Sequence, residues 1–284
     1  MLPDIVLQTD FGLTTGFVAS MYGVIRMVDQ SLDVFDLNHE ICPFDMRQGS
    51  FLLRDTIPYW KGGTVFVSVV DPGVGTARRG CVAKLNNGSF VVTPDNGSLT
   101  AILDRVVAVR EIDESVNRLK GSDKANSFHG RDVFAYTAAR LASGIINFEG
   151  VGPEYPVNEI VTFETTHGTV APGRAEGEIA GCTKHFGGVG TNIDVDEFEK
   201  TGIVYGDMTH VTIVKNGETL FDRDVLYHKS FGFVSEGEPI LYNGSTTPTI
   251  ALSLNKRSFA EKFLPHIFDT GENFGDYKIT IVKK

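Results

Sequence analysis

Apolar positions in the first half of the chain recur with two different periods. DIVLQTD, residues 4–10, is a short continuous apolar run closed by polar residues, which predicts a buried strand. In GFVASMYGVIRMV the apolar Phe17, Met21, Val24, Ile25 and Val28 fall three and four apart, which predicts a helix with those residues on one buried face. LDVFDLN reads as a strand, MRQGSFLLRDTIPYW as a helix running to Pro58, and TVFVSVVD as a strongly β-branched buried strand. CVAKL and FVVTPDN, joined by Asn86-Asn87-Gly88, predict a hairpin, and DVFAYTAARLASG predicts a helix stopped at Gly144. Strands alternating with helices predict an α/β domain whose mostly parallel sheet is covered on both faces.

The pattern changes after residue 165. TTHGTVAPGRAEGE is polar and rich in Gly and Pro, so residues 166–178 are expected to be a linker between a domain of residues 1–165 and one of residues 179–284. Beyond it VTIVKNGETLF, EPILYNGS, TIALSLN and YKITIVK are short strand patterns broken by turn residues, with no long helix. This predicts a β-rich C-terminal domain, a sandwich or barrel.

Charge and composition narrow the partners. The net charge of −10 argues against a nucleic-acid partner, which would need clustered Lys and Arg. No segment approaches the roughly 18 consecutive apolar residues of a membrane span. The start, MLPDIVLQTDFG, reads as a strand rather than a signal peptide, and Cys42, Cys81 and Cys182 are odd in number and far apart. Reduced thiols in a cytoplasm are expected.

Ligands of open α/β sheets bind outside the carboxyl ends of the strands. Here three predicted strand ends finish on an acid, at Asp10, Asp71 and Asp95. Asp71-Pro72-Gly73 and Pro94-Asp95-Asn96-Gly97 are also ordinary turn sequences. His129, in SFHGRDVF, lies just before a predicted helix, and Gly130 beside it permits close backbone approach. With Asp71 and Arg78 it makes a candidate acid–base set, although a lone histidine is more often a structural hydrogen-bonder. No HExxH, GxSxG, GxGxxG or zinc spacing is present. A metal-dependent phosphohydrolase holding Mg²⁺ on Asp10, Asp71, Asp95 and His129 remains an alternative from the residues alone.

TDFG, MYGVI, DLNHEICP, GTVFVSVVDPGVGTAR, TPDNGSLT and SFHGRDVFA occur here in one order. Together they resemble the SAM hydroxide adenosyltransferases, SAM hydrolases related to fluorinase and chlorinase. The resemblance runs over residues 4–150 and continues faintly through HFGGVGTNI, LYNGS and IALSLN. It implies an α/β domain followed by a barrel-like one, in a cytoplasmic homotrimer with its site at the subunit interface. It implies attack of water-derived hydroxide on C5′ of SAM, giving adenosine and methionine, with SAM as substrate and neither metal nor cofactor. Asp71, Arg78 and His129 match the family's catalytic set, and Asp10 matches the carboxylate that holds the ribose hydroxyls. Phe44 and Phe128 match residues around the sugar, and Val74, Asn96, Gly130, Phe186, Asn192, Asn243 and Ala251 match further substrate-binding positions. The halogenases carry tyrosine where Asp71 stands, so the resemblance implies water rather than halide as nucleophile. Thr15, Thr183, Lys184, Gly188 and Gly244 depart from the family pattern, which leaves another 5′-substituted adenosine, or binding without turnover, as alternatives.

Overall fold

Five fully buried residues, IVLQT, form β1 (Ile5–Thr9), an interior strand of the first sheet. Alternation sends Ile5 and Leu7 to one face and Val6 to the other, and each face has its own core. The run has no polar side because both faces are covered. Helix α1 (Phe17–Val28) lies on the Ile5 and Leu7 face and buries Val18, Met21, Val24 and Ile25. Phe17, expected on that buried face, is 49% exposed. Its ring instead meets the edges of Phe11 and Phe128, and Val18 enters the core in its place. After β2 (Val34–Asn38), helix α2 (Met46–Thr56) covers the other face, where Leu53 and Ile57 join Val6 and Phe66. The Asp45 side chain caps it, and Pro58 falls in a 3₁₀ turn just past its end.

The chain is described here at residues 2–269 and 272–284 by a computed structural model, in which it divides into two units, Met1–Phe163 and Glu164–Lys284. The remaining strands of the first unit are β3 (Val65–Val69), β4 (Gly80–Leu85), β5 (Phe90–Pro94), β6 (Val106–Glu111) and β7 (Glu154–Tyr155). Helix α3 (Tyr136–Ala142) precedes β7 and ends one residue before Ser143, as the Gly144 stop predicts. The sheet order is β2-β1-β3-β5-β4-β6-β7.

The sheet is mixed, which corrects the expectation of a mostly parallel one. β1–β2, β1–β3 and β3–β5 pair in parallel, whereas β4–β5, β4–β6 and β6–β7 are antiparallel. The cause is the predicted hairpin itself. Once the Asn86-Asn87-Gly88 turn reverses the chain, β6 returns beside β4 through a short 3₁₀ segment, too short for the helical crossover a parallel neighbour needs.

The second unit holds β8 (Thr169–Ala171), β9 (Arg174–Cys182), β10 (Val189–Asp194), β11 (Met208–Lys215), β12 (Glu218–Tyr227), β13 (Pro239–Asn243), β14 (Thr249–Leu254) and β15 (Tyr277–Lys283). Residues 166–178, expected as a linker, carry β8 and the start of β9, which pair as a hairpin around Pro172-Gly173. The strand order β10-β14-β13-β12-β11-β15-β9 closes on itself through β9–β10, making a seven-stranded barrel with β8 appended to β9. Strict alternation in VTIVK and KITIV turns Val211, Ile213, Ile279 and Ile281 inward. Two short helices, α4 (Val195–Glu199) and α5 (Phe259–Phe263), add Phe198, Phe259 and Phe263 to this core.

Candidate functional site

β3 continues past Val69 and Val70, both buried, to Asp71. There the chain must cross the end of β5 to start β4, because the sheet order places β5 between β3 and β4. Two successive turns make the crossing, with Val74 N–H donating to the Asp71 carbonyl and Thr76 N–H to the Gly73 carbonyl. Gly75 carries the tightest part, at φ 76°, where a side chain would stand 2.8 Å from the Asn126 carbonyl oxygen. This close approach draws the Asp71 turn against the segment that leads to His129. Gly75→Ala is therefore expected to cost about 1–3 kcal/mol of stability, seen as a lowered thermal midpoint.

The turn returns Arg78 onto Asp71. Arg78 Nε lies 2.9 Å from Asp71 Oδ1 and 3.1 Å from Oδ2, and Nη2 donates to Oδ2 as well. The two side chains are only 11% and 5% exposed. The same Nη2 lies 3.0 Å from His129 Nδ1. A guanidinium can only donate, so Nδ1 accepts and the imidazole proton resides on Nε2. That nitrogen is buried and has no hydrogen-bond partner among the described residues. Burial lowers the His129 pKa, and the Arg78 charge acts in the same direction, partly offset by Glu114 and Asp71. The imidazole is thus neutral near pH 7, a donor at Nε2 beside a carboxylate held by a planar fork.

His129 owes its position to an irregular helix start. Gly130–Ala135 forms a π-helical turn ahead of α3, and the Asp132 carbonyl accepts Leu119 N–H from outside the helix. Gly130 is tightly enclosed: a Cβ would meet the Phe11 ring at 3.0 Å and Phe128 at 3.4 Å, so those rings would have to give way by a few tenths of an ångström. Phe11, Phe17 and Phe128 pack edge to face in one aromatic cluster, with the Arg131 guanidinium 4.9 Å over the Phe128 ring.

Asp10, just past β1, reaches the same rim. Its Oδ2 accepts the Phe44 N–H at 2.9 Å, and Phe44 sits in the left-handed backbone region, at φ 70°. Burial raises the Asp10 pKa; the Phe44 N–H opposes this, and the nearby Asp71 charge adds to it. Asn96 braces β3 from the side, donating to the Val70 carbonyl at 2.9 Å. Asp95 does not share the rim chemistry. Its carboxylate is occupied by Tyr155 O–H at 3.0 Å, Val161 N–H at 2.8 Å and Arg79 at 3.2 Å. Here the plain turn reading of Pro94-Asp95-Asn96-Gly97 holds, with the carboxylate clasping distant segments. Among the described residues no three of His, Cys, Asp and Glu are gathered so as to hold a metal ion.

Asp10, Phe44, Asp71, Val74, Arg78, Asn96, Phe128, His129 and Gly130 therefore all lie in the first unit, on the loops that follow β1, β2, β3 and β5 and at the start of the π turn. The candidates of the second unit are scattered differently. Phe186 is 79% exposed, Ala251 is buried in β14, Asn192 Oδ1 accepts Glu178 N–H, and Asn243 Oδ1 accepts the Tyr227 hydroxyl. Gly188 is crowded by Ser253 Oγ, which hydrogen-bonds the Tyr242 hydroxyl at 3.1 Å. Glu114 was not singled out in the sequence, yet its Oε1 lies 3.8 Å from His129 Nδ1 and Arg118 holds its other oxygen. No local pattern marked it, because Glu114 and Arg118 lie in a turn rather than on a helix and the approach to His129 comes from the fold.

Comparison with known proteins bears on the same segments. Residues 5–152 match the SAM hydroxide adenosyltransferase N-terminal domain and residues 178–270 the C-terminal domain. The (R)-S-adenosyl-L-methionine hydrolase of Salinispora arenicola is 44% identical over 50% of this chain, and that match spans about half of the relative, 54% of its length. The enzyme of that name from Thermus thermophilus is 34% identical over 89% of this chain and 92% of its own. The crystal structure of an uncharacterized conserved protein from Thermotoga maritima superposes with a TM-score of 0.85 at 30% identity, covering 98% of this chain and 99% of that one. Matched in order across both units, the chain belongs to the SAM hydroxide adenosyltransferase family.

Proposed function

We propose that this protein hydrolyses S-adenosyl-L-methionine to adenosine and L-methionine. The observation that carries the reading is the buried Arg78 fork, which joins Asp71 and His129 at the end of β3. Water has a pKa near 15.7 and is a poor nucleophile at pH 7. A positioned proton acceptor helps by about 10²–10⁴-fold. Asp71 is the acceptor in this scheme, because the lone pair on His129 Nδ1 faces Arg78. His129, neutral, keeps Arg78 in plane through Nδ1. The water oxygen bonds to C5′ as the C5′–S bond breaks, its electron pair passes to sulfur, and a water proton passes to Asp71. The sulfonium becomes the neutral thioether of methionine. Charge is dispersed on the way, so exclusion of water favours the step.

Asp10 holds the ribose hydroxyls, and Phe44 and Phe128 flank the sugar. The site is completed by a second copy in a cytoplasmic homotrimer. The exposed apolar rim of Leu13, Phe17 and Phe44, 63%, 49% and 66% exposed, supports a covered face there. No metal or cofactor enters the scheme, and the relatives' names suggest the (R) epimer as substrate.

Incubation of each sulfonium epimer in ¹⁸O-labelled water tests this. Label in the adenosine 5′-hydroxyl is expected, retained in the presence of a chelator. Absence of adenosine, or label confined to another product, would overturn the assignment.

A further inference from the structure

Thr9, the last residue of β1, has no exposed surface yet carries a hydroxyl. Its Oγ1 lies 2.8 Å from His39 Nδ1 and 3.2 Å from the Phe11 nitrogen. His39 is itself buried, with Nε2 2.7 Å from Asp36 Oδ1, and the Tyr22 hydroxyl donates to that same oxygen. A carboxylate only accepts, so His39 carries a proton on Nε2, and in the neutral ring Nδ1 accepts the Thr9 O–H. Thr9 Oγ1 then accepts Phe11 N–H. The order carboxylate, imidazole, hydroxyl is that of a hydrolytic triad, but a hydroxyl with no exposed surface cannot attack a substrate. Another role must account for a buried polar chain of this length.

The His39 carbonyl supplies a second anchor, accepting Gly12 N–H at 2.8 Å. One residue therefore holds Thr9 through its ring, Phe11 through Thr9, and Gly12 through its carbonyl. Asp10 lies inside that grip, and its carboxylate reaches back to Phe44 in the loop that follows His39. We infer that His39, backed by Asp36 and Tyr22, is a positioning residue that aims the Asp10 carboxylate at a vicinal diol through the Thr9 hydroxyl. The inference rests on the proposed substrate for the identity of that diol as a ribose. A carboxylate bridging two adjacent hydroxyls needs a fixed direction, and a small tilt sacrifices one of the two hydrogen bonds.

His39→Ala strips partners from Thr9 and Asp36 together and endangers the fold, so the decisive variant is Thr9→Val, with Thr9→Ser as the conservative control. Adenosine and 2′,3′-dideoxyadenosine are the probes, read by calorimetry. Thr9→Val is expected to weaken adenosine about tenfold, as the loss of one well-aimed hydrogen bond does. Dideoxyadenosine should change by less than about twofold, and Thr9→Ser should restore adenosine. Equal weakening of both nucleosides, or of neither, overturns the inference. If the wild-type chain binds neither nucleoside, the substrate reading fails instead. Amide exchange at Phe11 then still decides the anchor: acceleration in Thr9→Val supports it, and unchanged protection overturns it.

Discussion

Asp71→Asn is expected to cut turnover of S-adenosyl-L-methionine at least tenfold, and by up to about 10⁴-fold, while adenosine still binds. The carboxylate is 5% exposed and is gripped by Arg78 through Nε and Nη2, so the amide can keep the side chain in place through its one oxygen. What it cannot do is accept a proton from water. The neighbouring imidazole does not substitute, because its free lone pair is spent on Arg78 and burial keeps it neutral. Some loss of stability, about 1–2 kcal/mol, should accompany the change as one arm of the fork meets an N–H instead of an oxygen. Single-turnover kinetics separate the two effects. Wild-type turnover in Asp71→Asn would remove this carboxylate from the chemistry.

Much of this site was legible along the chain, and the reasons differ by residue. Asp71 and Arg78 are seven apart, and a Pro-Gly turn between them nearly forces the guanidinium back onto the carboxylate, so local sequence encodes their pairing. Asp10 and Asp71 meet because parallel β1 and β3 end together, a topological consequence of two buried apolar runs. Asp95 carries the same local signal and another role. Its partners Tyr155 and Val161 are 60 and 66 residues away in segments with no motif, so nothing nearby distinguished a clasp from a rim carboxylate. The histidines show the same limit. His39 sits in DLNHEICP, but its meaning comes from Thr9, 30 residues earlier. Strand β6 carries the apolar run Val106–Val109, which the elements predicted above omit; that Val107 is 57% exposed shows only in the fold. The barrel's closure was hidden for another reason. Pairing of β9 with β10 joins a Gly-rich polar run to a short one, and both look like loop until they are side by side.

Arg78→Lys tests whether the shape of the cation matters or only its charge. The guanidinium spans both oxygens of Asp71, reaches His129 Nδ1 with the same nitrogen that holds Oδ2, and lies 5.2 Å over the Phe134 ring. One planar group thus sets the orientation of the carboxylate and the tautomer of the imidazole. An ammonium keeps the charge but donates from a single point, so it can serve Asp71 or His129 and not both in plane. Turnover is expected to fall about a hundredfold, comparable to losing a positioned proton acceptor. Stability should fall by roughly 1–3 kcal/mol, less than the 3–5 kcal/mol expected for Arg78→Met, which strands a buried negative charge. Nitrogen-15 shifts of His129 supply a reading independent of activity. In the wild type they should report a proton on Nε2; in Arg78→Lys the two tautomers should mix. A lysine variant with wild-type turnover and an unchanged tautomer would mean that Arg78 acts on Asp71 by charge alone.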